Sequence, residues 1–332
     1  MTAGKPTAPQ NQPQTETQAR TGTSALSTGA SSVATSAIAA SAPADRAVEP
    51  AGSPILSTVR RLLRNRKGIV GTGFLGLLIL VATVGPHLAP FDPNEVHVID
   101  QLKPPSSTYP LGTDELGRDI LSRIIYAAGP AIQAGVLAVT LAGLFGSVTG
   151  LLAGYFGGWL DVIIGRVWDT LLAFPAIFLA IGIVTILGPG QMSGVLAIAI
   201  INMPVASRLV RAVTVSARNA DYVDAARALG CTDIRIMLQH ILPNCIAPLI
   251  VQMAIAAPEA ILVEASLSFL GLGAPLPAPT WGNMLSSAQA FLSRSWTYAL
   301  MPGLAITLTV VGLNYFADAL QDAIDPRRIR NG

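Results

Sequence analysis

The sequence predicts an all-α, polytopic transmembrane helical bundle of about six spans. Three observations predict it. Hydrophobic residues fill 51% of the 332 positions and charged residues only 12%, where a soluble domain carries about 25% charged. Six separate apolar runs approach the roughly 20 residues that a helix needs to cross a bilayer. Arginine and lysine gather at alternate ends of those runs, the asymmetry that orients membrane helices.

Before the first run, residues 1–57 are rich in Ala, Ser, Thr, Pro, Gln and Gly. Such a segment buries too little apolar surface to offset its ordering entropy, so it reads as a disordered cytoplasmic tail. Residues 58–90 hold a basic flank (Arg60, Arg61, Arg64, Arg66, Lys67) and a first spanning helix from Gly68 to about Ala89. The run spans a bilayer and lies too far into the chain to read as a cleaved leader. Residues 91–127 read as an extracytoplasmic segment. Residues 128–320 hold a five-helix core, with spans near 128–154, 160–187, 191–209, 245–265 and 298–317 and a cytoplasmic loop at 210–244. Residues 321–332 read as a cytoplasmic C-terminus.

With both termini inside, the cytoplasmic face receives the basic flank, Arg166, Arg208, Arg211, Arg218, Arg227, Arg235, Arg327, Arg328 and Arg330. The outer face receives Lys103, Arg118, Arg123 and Arg294. The reverse orientation inverts that bias.

Within the spans, Gly146, Gly150 and Gly154 recur every four residues and form one smooth ridge for close helix packing; Gly158 continues the spacing into the Gly157-Gly158 turn. Pro175, Pro204, Pro248 and Pro258 are expected to kink their helices. Arg166 is placed to pair with Asp161 or Asp169. Glu259 and Glu264 fall in the outer part of the fifth span, where a vestibule or packing role is expected rather than a proton relay.

A net charge of +2 gives no reason to expect nucleic acid as a partner. Cys231 and Cys245 lack a C-x-x-C partner, and His87, His97 and His240 are scattered, so no metal site, catalytic site or cofactor is expected. The phosphate-cradling G-x-x-x-x-G-K-[ST] pattern is missing, so ATP chemistry belongs to another chain.

The loop from Arg218 to Asn244 reads as two helices. Asp221 and Asp224 sit where carboxylates favour a helix N-terminus. Gly230 stops the first helix, Thr232 or Asp233 caps the second, and Pro243 marks the return to the membrane. Ala225, Ala226 and Ala228 make the first helix a low ridge that suits a groove on another protein. Residues 113–125 read as an amphipathic surface helix capped by Thr113, with Asp114–Arg118 and Asp119–Arg123 pairs.

Asp224-Ala225-Ala226, Gly230 and Ile241-x-Pro243 resemble the EAA loop of bacterial ABC importer permeases, with Asp224 where the family usually has Glu. Leu111–Arg123, Glu264–Gly273 and the Trp281–Leu285 stretch resemble the C-type permease subunits of dipeptide, oligopeptide and nickel importers. The resemblance covers about residues 55–330. It implies a type I ABC importer fold in the inner membrane, surrounded by lipid. It further implies a homologous second permease, two ABC ATPase subunits and an extracytoplasmic substrate-binding protein as partners. Asp221, Asp224, Ala225, Ala226 and Gly230 would contact the ATPase, and Phe269 and Trp281 belong to an outer loop or gate. The implied substrate is a di- or oligopeptide. Nickel or glutathione import is the alternative, His87, Asp92, Glu95, His97 and Asp100 being the residues that invite the metal reading. An ion-coupled secondary transporter is less expected, because no inverted repeat is visible.

Overall fold

Glycine and proline set the break points of this chain. The computed structural model describes Leu62 and residues 66–324. The expected tail at 1–57, Arg60, Arg61, Arg64 and the C-terminal arginines lie outside the described residues.

The helices are α1 Arg66–Thr83, α2 Ile120–Phe156, α3 Gly158–Leu172, α4 Ala176–Leu187, α5 Gln191–Arg218, α6 Asp221–Ala228, α7 Leu242–Phe269, α8 Trp281–Ala288 and α9 Trp296–Ile324. Among the described residues, four helical stretches are long and apolar enough to cross a membrane, and α3 with α4 counts as a fifth when taken as one bent span. α1 is a shorter apolar helix.

α2 is 37 residues long, about 55 Å at 1.5 Å per residue, so it overshoots a hydrocarbon core of about 30 Å. It starts at Asp119, whose side chain accepts from the Ser122 N–H, and stops at Gly157, where φ is 66°. Gly158 (φ 56°) completes the reversal into α3. The expected straight span at 160–187 is bent by 98° between α3 and α4. Pro175 disfavours the helical conformation at Phe174 and lacks an N–H of its own, so the helix breaks there rather than kinking. Asp161 and Asp169 do not pair with Arg166. Both reach across to α5: Asp161 forms a two-pronged pair with Arg211, and Asp169 lies 2.6 Å from Arg208. Trp168 Nε1 donates to Ser207 Oγ at 3.0 Å on the same face.

The core is built from small residues. Ala134, Ala138 and Val139 of α2 meet Val195 and Ile198 of α5 and Ala256 and Ala260 of α7. Ala180 and Val184 of α4 pack with Ala197 and Leu267. α1 lies on α9, where a Cβ on Gly71 would stand 2.5 Å from the Phe316 nitrogen. Asn202 and Asn314 bond carbonyls of their own helices.

The bundle has two polar ends. The cap end holds residues 91–119, α8 and the starts of α2 and α9. Here the expected amphipathic helix over 113–125 does not begin at Thr113: residues 113–119 are non-helical, and 120–125 open α2. Thr113 and Asp119 bridge as a short antiparallel pair, and Gly117 turns at φ 76°. Asp114 Oδ1 accepts the N–H groups of Leu116 and Arg118, both at 2.9 Å. A carboxylate that captures nearby amides competes with the helix for them. The Asp114–Arg118 pair does form, at 2.6 Å. Arg123 instead donates to the Pro93 carbonyl at 2.8 Å and lies 3.6 Å from Asp114, while Asp119 serves as the cap of α2. Ile120 is wholly buried against Met284, Ala288 and Tyr298 rather than lying on a membrane surface. Lys103, then Tyr109, hold the Asp100 carboxyl below its ordinary value.

The loop end holds α6, the turn Asp233–Arg235 and a π-helical stretch, Ile236–Ile241, which runs into α7 without a gap. Pro243 lies inside this continuous run and does not interrupt it. The second loop helix and the fifth span are therefore one 37-residue rod, Asp233–Phe269, rather than two elements parted at Pro243.

Candidate functional site

α6 stands on the loop end with one face down and one face free. Val223 and Ala226 are buried among Leu151, Tyr155, Val210, Ile236, Met237, Ile241 and Cys245. The spacing of three between them is the helical repeat that puts both on the same side. Asp221, Asp224, Ala225, Ala228 and Gly230 are exposed. Ala226, expected in the contact surface, is only 5% exposed, so it seats α6 from below instead of meeting a partner.

Helix chemistry explains the local fold. Asp221 and Asp224 occupy the first turn of α6 and Arg227 the last, both favourable to the helix dipole. Arg227 Nη1 donates to Asp224 Oδ1 at 2.8 Å. Tyr155, first, and Asp224 raise the Arg227 guanidinium above its ordinary value. Gly230 takes φ 80° and ends the helix, as a residue without Cβ does readily. Its neighbour Leu229 is 85% exposed, and Tyr222 and Ile234 are also exposed. The uncovered face of α6 carries Asp221 and Asp224 with the small Ala225 and Ala228, flanked by exposed Leu229 and Tyr222.

Sequence reasoning missed Leu229, Tyr222 and Tyr155. Leu229 reads as an interior residue until Gly230 is seen to turn the chain away. Tyr155 Oη donates to Asp233 Oδ1 at 2.6 Å, so Asp233 receives a tyrosine instead of capping; neither Thr232 nor Asp233 makes a side-chain cap bond. The available signal was a tyrosine closing an apolar span just before a Gly-Gly turn.

The glycine ridge of α2 lies directly above this site and faces α5. A Cβ at Gly146 would stand 2.6 Å from Ala206 Cβ, at Gly150 2.4 Å from Ser207 O, and at Gly154 2.7 Å from Thr214 Cβ. At Gly158 nothing lies within 4 Å.

At the cap end, Trp281 is 3% exposed and donates its indole N–H to the Ile124 carbonyl at 3.1 Å. That bond ties α8 to α2. Thr280 and Asn283 cap α8 reciprocally, and Gly282 lies so close to α7 that a Cβ would stand 2.2 Å from the Ala265 carbonyl. Phe269, by contrast, lines an apolar recess of ≈ 540 Å³ with Leu262, Leu285, Gly303, Ile306 and Thr307. Glu264 is buried and Glu259 exposed. His97 lies 3.3 Å from Glu95, and among the described residues no three His, Cys, Asp or Glu side chains gather to hold a metal ion.

Residues 146–330 match the family described as binding-protein-dependent transport system inner membrane component. Residues 53–105 match the N-terminal transmembrane domain of oligopeptide transport permease C. A dipeptide transport system permease protein of Alkalihalophilus pseudofirmus is 45% identical over 278 residues, covering 83% of this chain and 91% of the relative. A di/tripeptide transport system permease protein of Pseudomonas aeruginosa is 41% identical, covering 83% and 93%. A glutathione transport system permease protein of Pectobacterium atrosepticum is 41% identical, covering 81% and 89%.

Proposed function

Because the chain belongs to the family of binding-protein-dependent transport system inner-membrane components, we propose that it is the permease subunit of an ATP-driven importer of di- or oligopeptides. It forms the translocation pathway with a second, homologous permease and takes its energy from two ATPase subunits. It sits in a bacterial inner membrane with both termini in the cytoplasm, and a substrate-binding protein delivers cargo to the cap end. Peptide as cargo rests on the dipeptide and di/tripeptide relatives. The glutathione relative supports a second reading, that the cargo is glutathione.

One observation carries the coupling assignment: α6 is seated by buried Val223 and Ala226 while Asp221, Asp224, Ala225 and Gly230 remain uncovered beside an 85% exposed Leu229. An ATPase groove would take that ridge, and its closure would displace the loop end and rock the bundle between inward-open and outward-open states. At the opposite end the gate reading rests on Phe269, which borders the recess, since Trp281 is buried and bonded to the Ile124 carbonyl.

The test is co-purification with the ATPase subunits. Leu229→Asp and Asp224→Arg should each lower recovered ATPase about tenfold or more, as loss of a central contact residue does. Undiminished recovery from both variants would place the contact elsewhere. Uptake of labelled dipeptide against labelled glutathione by the assembled complex separates the two cargoes.

A further inference from the structure

Tyr155 holds the loop between α5 and α7 at three places. Its backbone carbonyl, in the last turn of α2, accepts from Arg218 Nη1 at 2.7 Å where the loop begins. Its ring lies under the Arg227 guanidinium, 5.8 Å from the centroid, where α6 ends. Its hydroxyl donates to Asp233 at 2.6 Å where the chain turns back toward α7. The side chain is buried in the cluster that seats Val223 and Ala226, and its ring meets Phe156 edge-on at 5.2 Å.

The neighbouring elements differ in packing and in helical geometry. Above Tyr155, Gly150 and Gly154 bring α2 so close to α5 that even a methyl group does not fit, and such a seam moves as a unit. Toward α7 the chain passes through the π-helical stretch Ile236–Ile241, a geometry less regular than the α-helix and frequent where function demands adaptation.

We infer that Tyr155 is a positioning residue for energy coupling: its hydroxyl bond to Asp233 makes the 218–233 loop move rigidly with the α2–α5 pair, while the π-helical stretch absorbs the mismatch with α7. The inference rests on the ATPase-docking reading of α6 and adds the route by which displacement enters the membrane.

The experiment uses the complete importer, with both permeases, the ATPases and the binding protein, in liposomes. Tyr155→Phe keeps the ring and removes the hydroxyl. It should leave ATPase assembly and basal hydrolysis unchanged and lower peptide imported per ATP about tenfold, the loss expected for one hydrogen bond to a charged group. Asp233→Asn should act in the same direction, and the double variant should be no worse than the more severe single one. Unchanged import per ATP in Tyr155→Phe overturns the inference. So do effects of Tyr155→Phe and Asp233→Asn that multiply independently. So does loss of ATPase assembly in Tyr155→Phe, which would make the tyrosine merely structural. The docking reading fails separately: Leu229→Asp would then assemble and hydrolyse like the parent, whatever Tyr155→Phe does.

Discussion

Asp114 is a hub of the cap end. It is fully buried, binds two backbone amides, pairs with Arg118 and lies near Arg123, itself 2% exposed. Asp114→Asn preserves the shape and removes a charge that two buried guanidiniums share, leaving Arg118 with Glu115 at 3.3 Å. Breaking a buried pair in this way costs about 3–5 kcal/mol, and a thermal unfolding scan in detergent should show a large loss of stability. A midpoint equal to the parent's would mean that the arginines find other counter-charge. The Asp114–Arg118 pair was legible from its spacing of four. That it sits in a turn was not legible, because the choice depends on φ at Gly117 and on the carboxylate's capture of two amides. Arg166 teaches the same: nearness in sequence offered it two acids, but both face α5 and its two arginines.

Among elements, the α2–α5 seam is where a single methyl group matters most. Gly150→Ala would place a Cβ 2.4 Å from the Ser207 carbonyl oxygen, forcing the two backbones apart at a cost of about 1–3 kcal/mol. Gly165→Ala on α3, with nothing within 4 Å of the added carbon, should be neutral or stabilising by up to about 1 kcal/mol. Equal thermal midpoints for the two variants would show the seam to be looser than these distances. The four-residue period of the glycines identified a ridge in the sequence, yet it did not name α5 as the partner. That depends on Ala206, Ser207, Val210 and Thr214 presenting a matching groove. The 98° bend between α3 and α4 was half legible: Pro175 marked the place, but a proline inside an apolar run signals kink and break alike. The π-helical stretch had no signal, since IMLQHI is an ordinary helical composition.

For the molecule as a whole, apolar runs and charge asymmetry foretold a multi-span helical bundle, and the comparisons agree with it. Direction across the membrane is open to a labelling experiment. In a chain with Cys231 and Cys245 replaced by serine, a cysteine at Ile99, 95% exposed at the cap end, should react with an impermeant maleimide in intact cells. A cysteine at Leu229, in cells lacking the ATPase subunits, should react only after permeabilisation. The opposite pattern would invert the proposed orientation. The proposed docking ridge was legible because its acids, alanines and stop glycine all lie within residues 221–230. Its anchorage to α2 was not, because Tyr155 and Asp233 are 78 residues apart in sequence and nothing local links them.

The π-helical stretch has a geometric consequence for the rod Asp233–Phe269. It holds one residue more per turn than the α-helical segments on either side, and one residue is about 100° of helical phase. That phase slip lets Ile236, Met237 and Ile241 point at the base of α6 while Ala256 and Ala260, farther along, still point at α2 and α5. Deleting a single residue from the stretch would restore a plain α-helix and turn every later side chain by that angle. The protein-facing and lipid-facing stripes of the rod would then change places in part, although no contact residue had been altered.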